Sequence, residues 1–282
     1  DPEDEIDRPM SVQDGGESDS DIEGGEEEDM VIGMIASLTD DRTVKDKMNS
    51  FVKRVGRETK KIDWQTGVQQ MHDALDKEQI ANPVLENYSP ARVNGLAARL
   101  GMMQGMSLDL TTNDPDDGKP WDFNCPKKRA KALDLVISKQ ALLVIGSPMC
   151  RAFSQLQHWN VNKIDPTRAQ QIRDEGMKHL KFCMQLYQCQ IDNGMYFLHE
   201  HPWTASSWKE QCVTQIAGRE NVQIVKADMC CFGMYQETED GARLVKKPTG
   251  FMTNAVEISR ELAQACDKGP THVHLLNGRA KR

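Results

Sequence analysis

One loop brings the candidate chemistry of this chain together. Ala141-Leu142-Leu143-Val144-Ile145 is an apolar run that reads as a buried strand, and Gly146-Ser147-Pro148-Met149-Cys150-Arg151-Ala152-Phe153-Ser154 follows it directly. A thiol in this place lies at the carboxyl end of a strand, where open α/β sheets bind their ligands. A free thiol titrates near ~8.5, so a nucleophilic Cys needs local help, and the adjacent Arg151 is of the right charge to favour the thiolate. Glu200, in Glu200-His201-Pro202, ends the next expected strand, residues 194–198 and onward. A thiol and a carboxylic acid thus stand at two adjacent strand ends. A buried Cys with a packing role is the alternative for Cys150 taken alone. His199 and His201 alternate with Glu200, so in a strand they share the face opposite the carboxylate.

The surrounding elements alternate between strand and helix. Residues 83–88 read as a short strand, and Ser89-Pro90 opens a helix, with Ser89 as N-cap and Pro90 in the first turn. Residues 106–110 read as a second strand, and Trp121-Asp122-Phe123 sits near a third. Residues 127–139 are helical, with Leu133, Val136 and Ile137 inward. Asp165-Pro166 starts a long helix whose apolar positions recur every three or four residues, and Asn193-Gly194 ends it. A helix over 205–217, a strand over 222–225, a late strand at 250–253 and a helix capped by Asn254 complete the pattern. Strands alternating with helices predict an α/β fold, a mostly parallel sheet with helices on both faces.

Composition divides the chain. The formal net charge of −8 conceals an acidic tail: residues 1–30 hold 14 Asp and Glu against one Arg, and the rest holds 34 Lys and Arg against 29 Asp and Glu, about +5. The tail has too few apolar residues to offset the entropy of ordering and reads as disordered. Residues 31–82 form a helical N-terminal extension with a basic zone from Lys45 to Lys61, a solvated face or a nucleic-acid contact arm. Residues 83–276 form the α/β domain, and 277–282 a basic tail. A body of this charge permits nucleic-acid contact without demanding it. No signal peptide and no apolar run of about 18 residues is visible, so no membrane partner is expected. The eight cysteines form no Cys-x-x-Cys pairs, which fits an intracellular protein with reduced thiols. Cys266, His272 and His274 lie close in sequence, with Cys230 and Cys231 upstream, but Cys-x5-His-x-His matches no standard finger. The sequence therefore predicts no metal site, and buried Cys with surface His is the expectation.

Gly146, Pro148, Cys150, Phe153 and Ser154 resemble the nucleophile loop Gly-x-Pro-Pro-Cys-Gln-x-Phe-Ser of the DNA cytosine-5 methyltransferases, departing from it at Met149 and Arg151. Glu200 matches the family's glutamate at the end of the next strand. Asp228, Cys231, Phe232 and Gly233, then Lys247-Pro248-Thr249-Gly250 and Thr253-Asn254, look like the Cys-x-Tyr-Gly and Lys-Pro-Thr…Thr-Asn segments of phage-type members. The likeness spans roughly residues 84–274 and extends to methyltransferase-like segments of mobile-element (retrotransposon) polyproteins, which implies that further polyprotein flanks this chain.

The resemblance implies a Rossmann-like S-adenosylmethionine methyltransferase fold acting on nucleic acid, DNA in the first instance. Cys150 would add to C6 of cytosine, making C5 nucleophilic, and Glu200 would hydrogen-bond the base and favour protonation of its ring nitrogen. Arg151, Ser154, Lys247 and Thr249 would contact the nucleic-acid substrate. Glu86, Tyr88, Ser89, Asp109, Asp122 and Pro148 would hold S-adenosylmethionine, with Asp109 on the ribose hydroxyls and Asp122 near the adenine. The family's Phe-x-Gly-x-Gly turn is missing, since Pro90 and Ala91 stand where glycines would be. Only some 20 residues separate Gly233 from Asn254, too few for a separate target-reading module. A catalytically inactive relative, kept as a nucleic-acid-binding or structural segment, is the alternative that these departures imply.

Overall fold

Six strands form one sheet in the order β2-β1-β3-β4-β8-β5. They are β1 (Asn82–Asn87), β2 (Met106–Leu108), β3 (Ala141–Gly146), β4 (Tyr196–Pro202), β5 (Gln223–Asp228) and β8 (Pro248–Thr253). The structure, a computed structural model, describes residues 64–77, 80–138, 141–154, 165–238, 241–267, 272–273, 275–276 and 279–280. The acidic tail, the basic zone from Lys45 to Lys61 and most of 277–282 lie outside these residues.

The sheet is mixed. β2, β1, β3 and β4 run parallel, while β8 is antiparallel to both β4 and β5. The fold is therefore α/β with a mostly parallel sheet, and the antiparallel strand between β4 and β5 is what the strand-by-strand reading did not anticipate. A short hairpin, β6 (Tyr235–Thr238) and β7 (Gly241–Leu244), fills the chain between β5 and β8. Because β8 runs against its neighbours, its first residues, Lys247 side, reach the same sheet edge as the last residues of β3 and β4.

Both faces are covered. On one, α3 (Pro126–Ile137), α4 (Pro166–Asp192) and α5 (Gln211–Ala217) bury Leu85, Val144, Phe197 and Met252 against Val136, Leu180, Leu186 and Val213. Each such side chain contributes about 1.5–3 kcal/mol on leaving water. On the other, α6 (Val256–Leu262) sends Leu262 to a smaller cluster of Ala227, Met229, Val245 and Phe251. Successive strand residues split between the two faces, as Phe251 and Met252 do. A further helix, α1 (Trp64–Lys77), precedes the sheet, and α2 (Val93–Arg99) follows β1. No helix among the described residues is long and apolar enough to cross a membrane.

Three local expectations change. Ser89 does not cap α2, which starts at Val93; the Glu86 carboxylate accepts from the backbone N–H groups of Arg92, Val93 and Asn94 instead. Residues 121–123 form no strand. Pro120 has no N–H to give a ladder, and Trp121 is buried with the Lys128 and Lys131 ammonium groups 5.0 and 5.3 Å from its ring, both paired with Asp114. Asn254 does not cap α6 either. Its side chain accepts from Phe197 N at 2.9 Å and donates to Met195 O at 2.8 Å, tying β8 to the start of β4.

Candidate functional site

Four chain segments meet at the carboxyl edge of the parallel strands: the turn after β1, the Gly146–Cys150 loop after β3, the end of β4, and Lys247 before β8. The loop is pinned at several points. Ser147 N donates to Asn87 O at 3.2 Å, and a 3-10 turn over Arg151–Phe153 begins where Phe153 N meets Cys150 O at 2.8 Å. Phe153 is fully buried under the Arg173 guanidinium, and Ala152 lies against Gly176 of α4. With those two side chains anchored, Cys150 and Arg151 are left half-buried at the edge.

The two strand histidines hold this loop from below. Tyr187 of α4 donates its hydroxyl to Gly146 O at 3.2 Å and receives a bond from His199 Nδ1 at 3.1 Å. His201 donates from Nε2 to Pro148 O at 2.9 Å and accepts from the Ser207 hydroxyl at Nδ1, 2.6 Å away. Burial pushes both imidazoles down, His201 to about 4, so each is neutral at physiological pH. Their rings lie 5.1 Å apart on the face opposite Glu200, as the alternation requires. The sequence marked that shared face but did not reveal the buttressing role, because the partners Tyr187, Ser207 and Pro148 come from other elements. Gly146 is required here: a Cβ would sit 2.1 Å from the Tyr187 hydroxyl oxygen.

Glu200 faces the other side of β4 and is buried, at 7 % exposure. Burial raises its carboxyl above the ordinary range, while the charges of Lys247 and Arg92 and the nearby Ser147 pull it back. The net direction is upward, toward the neutral acid. Glu200 therefore lies at the edge from which the loop carrying Cys150 departs, under the field of two cations from the β1–α2 turn and the start of β8. Thr249, fully buried, bonds only back to Lys247 O, and Ser154 bonds back to Arg151 O. Both shape backbone rather than face the edge through these contacts.

The residues expected to hold a cofactor are more dispersed in role. Besides the three N–H groups of α2, Glu86 accepts from the hydroxyls of Ser89 and Ser107, so both of its oxygens are engaged. Tyr88 adopts a left-handed backbone, φ 61°, a conformation costly for a residue with a Cβ. Its ring packs on Phe123 at 4.8 Å, and its hydroxyl shares a bond of 2.9 Å with His179 Nδ1. Asp109 stands at the end of β2, with Oδ1 accepting from the backbone and hydroxyl of Thr111. Asp122 Oδ1 accepts from Asn124 N. Pro148 is buried beneath the loop with its carbonyl held by His201.

The sequence grouped Cys266, His272 and His274 with Cys230 and Cys231 but did not expect them to converge; His274 lies outside the described residues. The sulfurs of Cys230, Cys231 and Cys266 lie within 4.8 Å of one another, and His272 Nε2 is 3.4 Å from Cys266 Sγ. Local spacing could not show this convergence, since the donors come from the turn after β5 and from the chain beyond α6. No protein-family model matches this chain, and no curated protein matches it.

Proposed function

We propose that this chain is a cytosine-5 methyltransferase-like domain acting on nucleic acid, with Cys150 as the nucleophile and Glu200 as the acid. The observation that carries the reading is that Glu200, a buried carboxyl shifted toward its neutral form, stands one residue beyond the register pair of His199 with Gly146, where the loop to Cys150 begins. A protonated carboxyl can give a proton to a ring nitrogen, and a carboxylate cannot. The sheet order, with one antiparallel strand between the last two parallel ones, supports a Rossmann-like methyltransferase architecture.

The chemistry follows from these groups. A cytosine turned out of its stack, at a cost of a few kcal/mol, would enter between the loop and β4. The Cys150 thiolate forms a bond to C6, the C5–C6 π electrons move onto the ring, and the Glu200 proton goes to N3. The adduct is neutral at the base, and C5 is now electron-rich. Arg92 and Lys247 stabilise the carboxylate that remains.

The turn after β1 does not fit S-adenosylmethionine in the manner of that family. Ser89, Pro90 and Ala91 all carry a Cβ where glycines would admit the cofactor to the backbone, Pro90 has no N–H, and the N–H groups of Arg92, Val93 and Asn94 are taken by Glu86. Asp109 alone keeps the acidic position at the end of β2. This turn favours the second reading, a catalytically inactive relative that binds nucleic acid or serves a structural role within a mobile-element polyprotein.

Two duplex probes separate the readings. Duplex DNA carrying 2-pyrimidinone should form a Cys150-dependent adduct without cofactor, detected by denaturing electrophoresis and lost in Cys150→Ala. Duplex DNA carrying 5-fluorocytosine should trap irreversibly only if S-adenosylmethionine delivers a methyl group. Adducts with the first probe alone support base binding without methylation. The absence of any adduct with either probe sinks the nucleophile assignment.

A further inference from the structure

We propose that Cys230, Cys231, Cys266 and His272 form a structural zinc site that clamps the chain beyond α6 to the turn after β5. Three sulfurs within 4.8 Å of one another and an imidazole nitrogen 3.4 Å from one of them are a Cys3His donor set. A tetrahedral zinc with Zn–S near 2.3 Å and Zn–N near 2.0–2.1 Å sets its donors about 3.6–3.8 Å apart. To accept the ion the three sulfurs draw together by up to about 1 Å, and His272, already beside Cys266, turns in toward the other two.

The donors are placed by features unrelated to one another. Met229–Phe232 is a 3-10 turn closed by Gly233 at φ 84°, a left-handed position suited to glycine. It presents Cys230, which is buried, and Cys231, nearer the surface. Cys266 is drawn in because its backbone N–H donates to the buried Asp228 carboxylate at 2.9 Å, and Asp228 N donates to Gln264 O. His272 arrives because Val273 N donates to Leu244 O at 2.9 Å, and Val273 bridges Val245.

A divalent cation at the centre displaces the thiol protons and offsets the thiolate charge, so binding and ordering of the clamp are coupled. With four protein donors the site is closed, the mark of a structural rather than a catalytic zinc. A disulfide is a poor alternative for the adjacent pair, since neighbouring Cα atoms are about 3.8 Å apart and disulfides span about 4.4–6.8 Å. The clamp also bears on the edge described above, because Met229 N donates to Lys247 O at 3.1 Å and Lys247 faces Glu200.

The test uses the full chain, purified under reducing conditions from zinc-supplemented cells. Elemental analysis should find one zinc per chain, and exchange for Co2+ should give thiolate-to-cobalt charge transfer with the intense visible bands of tetrahedral coordination. Cys231→Ser and Cys266→Ser should each lower zinc affinity about tenfold or more. His272→Cys should retain the ion with altered cobalt bands, and Cys189→Ser, on α4, should leave it unchanged. A wild-type chain that holds no zinc, or gives only the weak spectrum of octahedral cobalt, overturns the proposal. So does an intact mass lower by a pair of hydrogens that maps to Cys266. The wild-type cobalt spectrum decides the matter even if the serine variants fail to fold.

Discussion

His201 and Pro148 are joined by a hydrogen bond of 2.9 Å from the imidazole Nε2–H to the carbonyl oxygen, across 53 residues of sequence. The bond fixes the tautomer: with Nε2 donating, Nδ1 accepts from the Ser207 hydroxyl. It also makes the shape of the Cys150 loop depend on a neutral, buried ring. His199 plays the parallel part through Tyr187 at Gly146, so the loop is supported at two carbonyls by two rings from one face of β4.

This support predicts an acid-sensitive fold. Burial holds His201 at about 4, against about 6.5 for an unfolded histidine, and depresses His199 as well. Above pH 6.5 neither state is protonated at these rings and the stability is fully present. As the pH falls from 6.5 toward 4, the unfolded chain takes up protons that the native chain refuses, and stability is lost, for His201 on the order of 3 kcal/mol. Urea midpoints measured between pH 7.5 and 4.5 should fall steeply for the wild type and less steeply for His201→Gln. Equal slopes would rule the account out.

Gly146 and Tyr187 provide a second test. Tyr187→Phe removes the donor to Gly146 O and the partner of His199 Nδ1, leaving buried polar atoms unsatisfied, at a cost of about 1–3 kcal/mol. Gly146→Ala forces a methyl group to within 2.1 Å of the Tyr187 oxygen, and overpacking of this kind costs about 1–3 kcal/mol. Since both act on one contact, Gly146→Ala in the Tyr187→Phe background should cost less than in the wild type. Additive losses in chemical denaturation would show the two residues to be uncoupled.

The same contrast between local and distant causes explains what could be read from the sequence. The edge carrying Cys150 and Glu200 was legible because a short apolar run bounded by glycine marks a buried strand whatever surrounds it. The antiparallel direction of β8 was not, since residues 248–253 are buried on both faces and carry no alternation from which direction could follow. The cap of α2 was misread for a related reason. Ser89-Pro90 is a strong local signal, yet Glu86 reaches the helix first, from the strand. The thiol cluster was named in the sequence but not read as one site, because its members are brought together by Asp228 and by the Val273 bridge, neither of which leaves a spacing in the chain.

Glu86 should prove structural. Its carboxylate satisfies three N–H groups at the start of α2, where a negative charge is also favoured by the helix dipole. Glu86→Gln keeps one acceptor and loses the charge, which should destabilise the fold by about 1–2 kcal/mol. Thermal unfolding reads this directly. Cofactor-free adduct formation with the 2-pyrimidinone duplex should be unchanged well below the melting temperature. A selective loss of that adduct at full stability would assign Glu86 to the base site instead.

Glu200→Gln should separate chemistry from stability in the opposite sense. Burial raises the native carboxyl above its unfolded value, so the native state holds the proton more tightly. Stability from this group is therefore fully present below the unfolded pKa and declines as the pH rises through the native one. A glutamine has no proton to lose and keeps the size and shape of the buried side chain. The variant should be as stable as the wild type at pH 5 and at least as stable at pH 8. It cannot protonate N3, and loss of a positioned acid costs about 10²–10⁴-fold, so the rate of adduct formation at Cys150 should fall by that order. Adduct formation at the wild-type rate would mean that Glu200 is a buried acid kept for packing, with no part in handling the base.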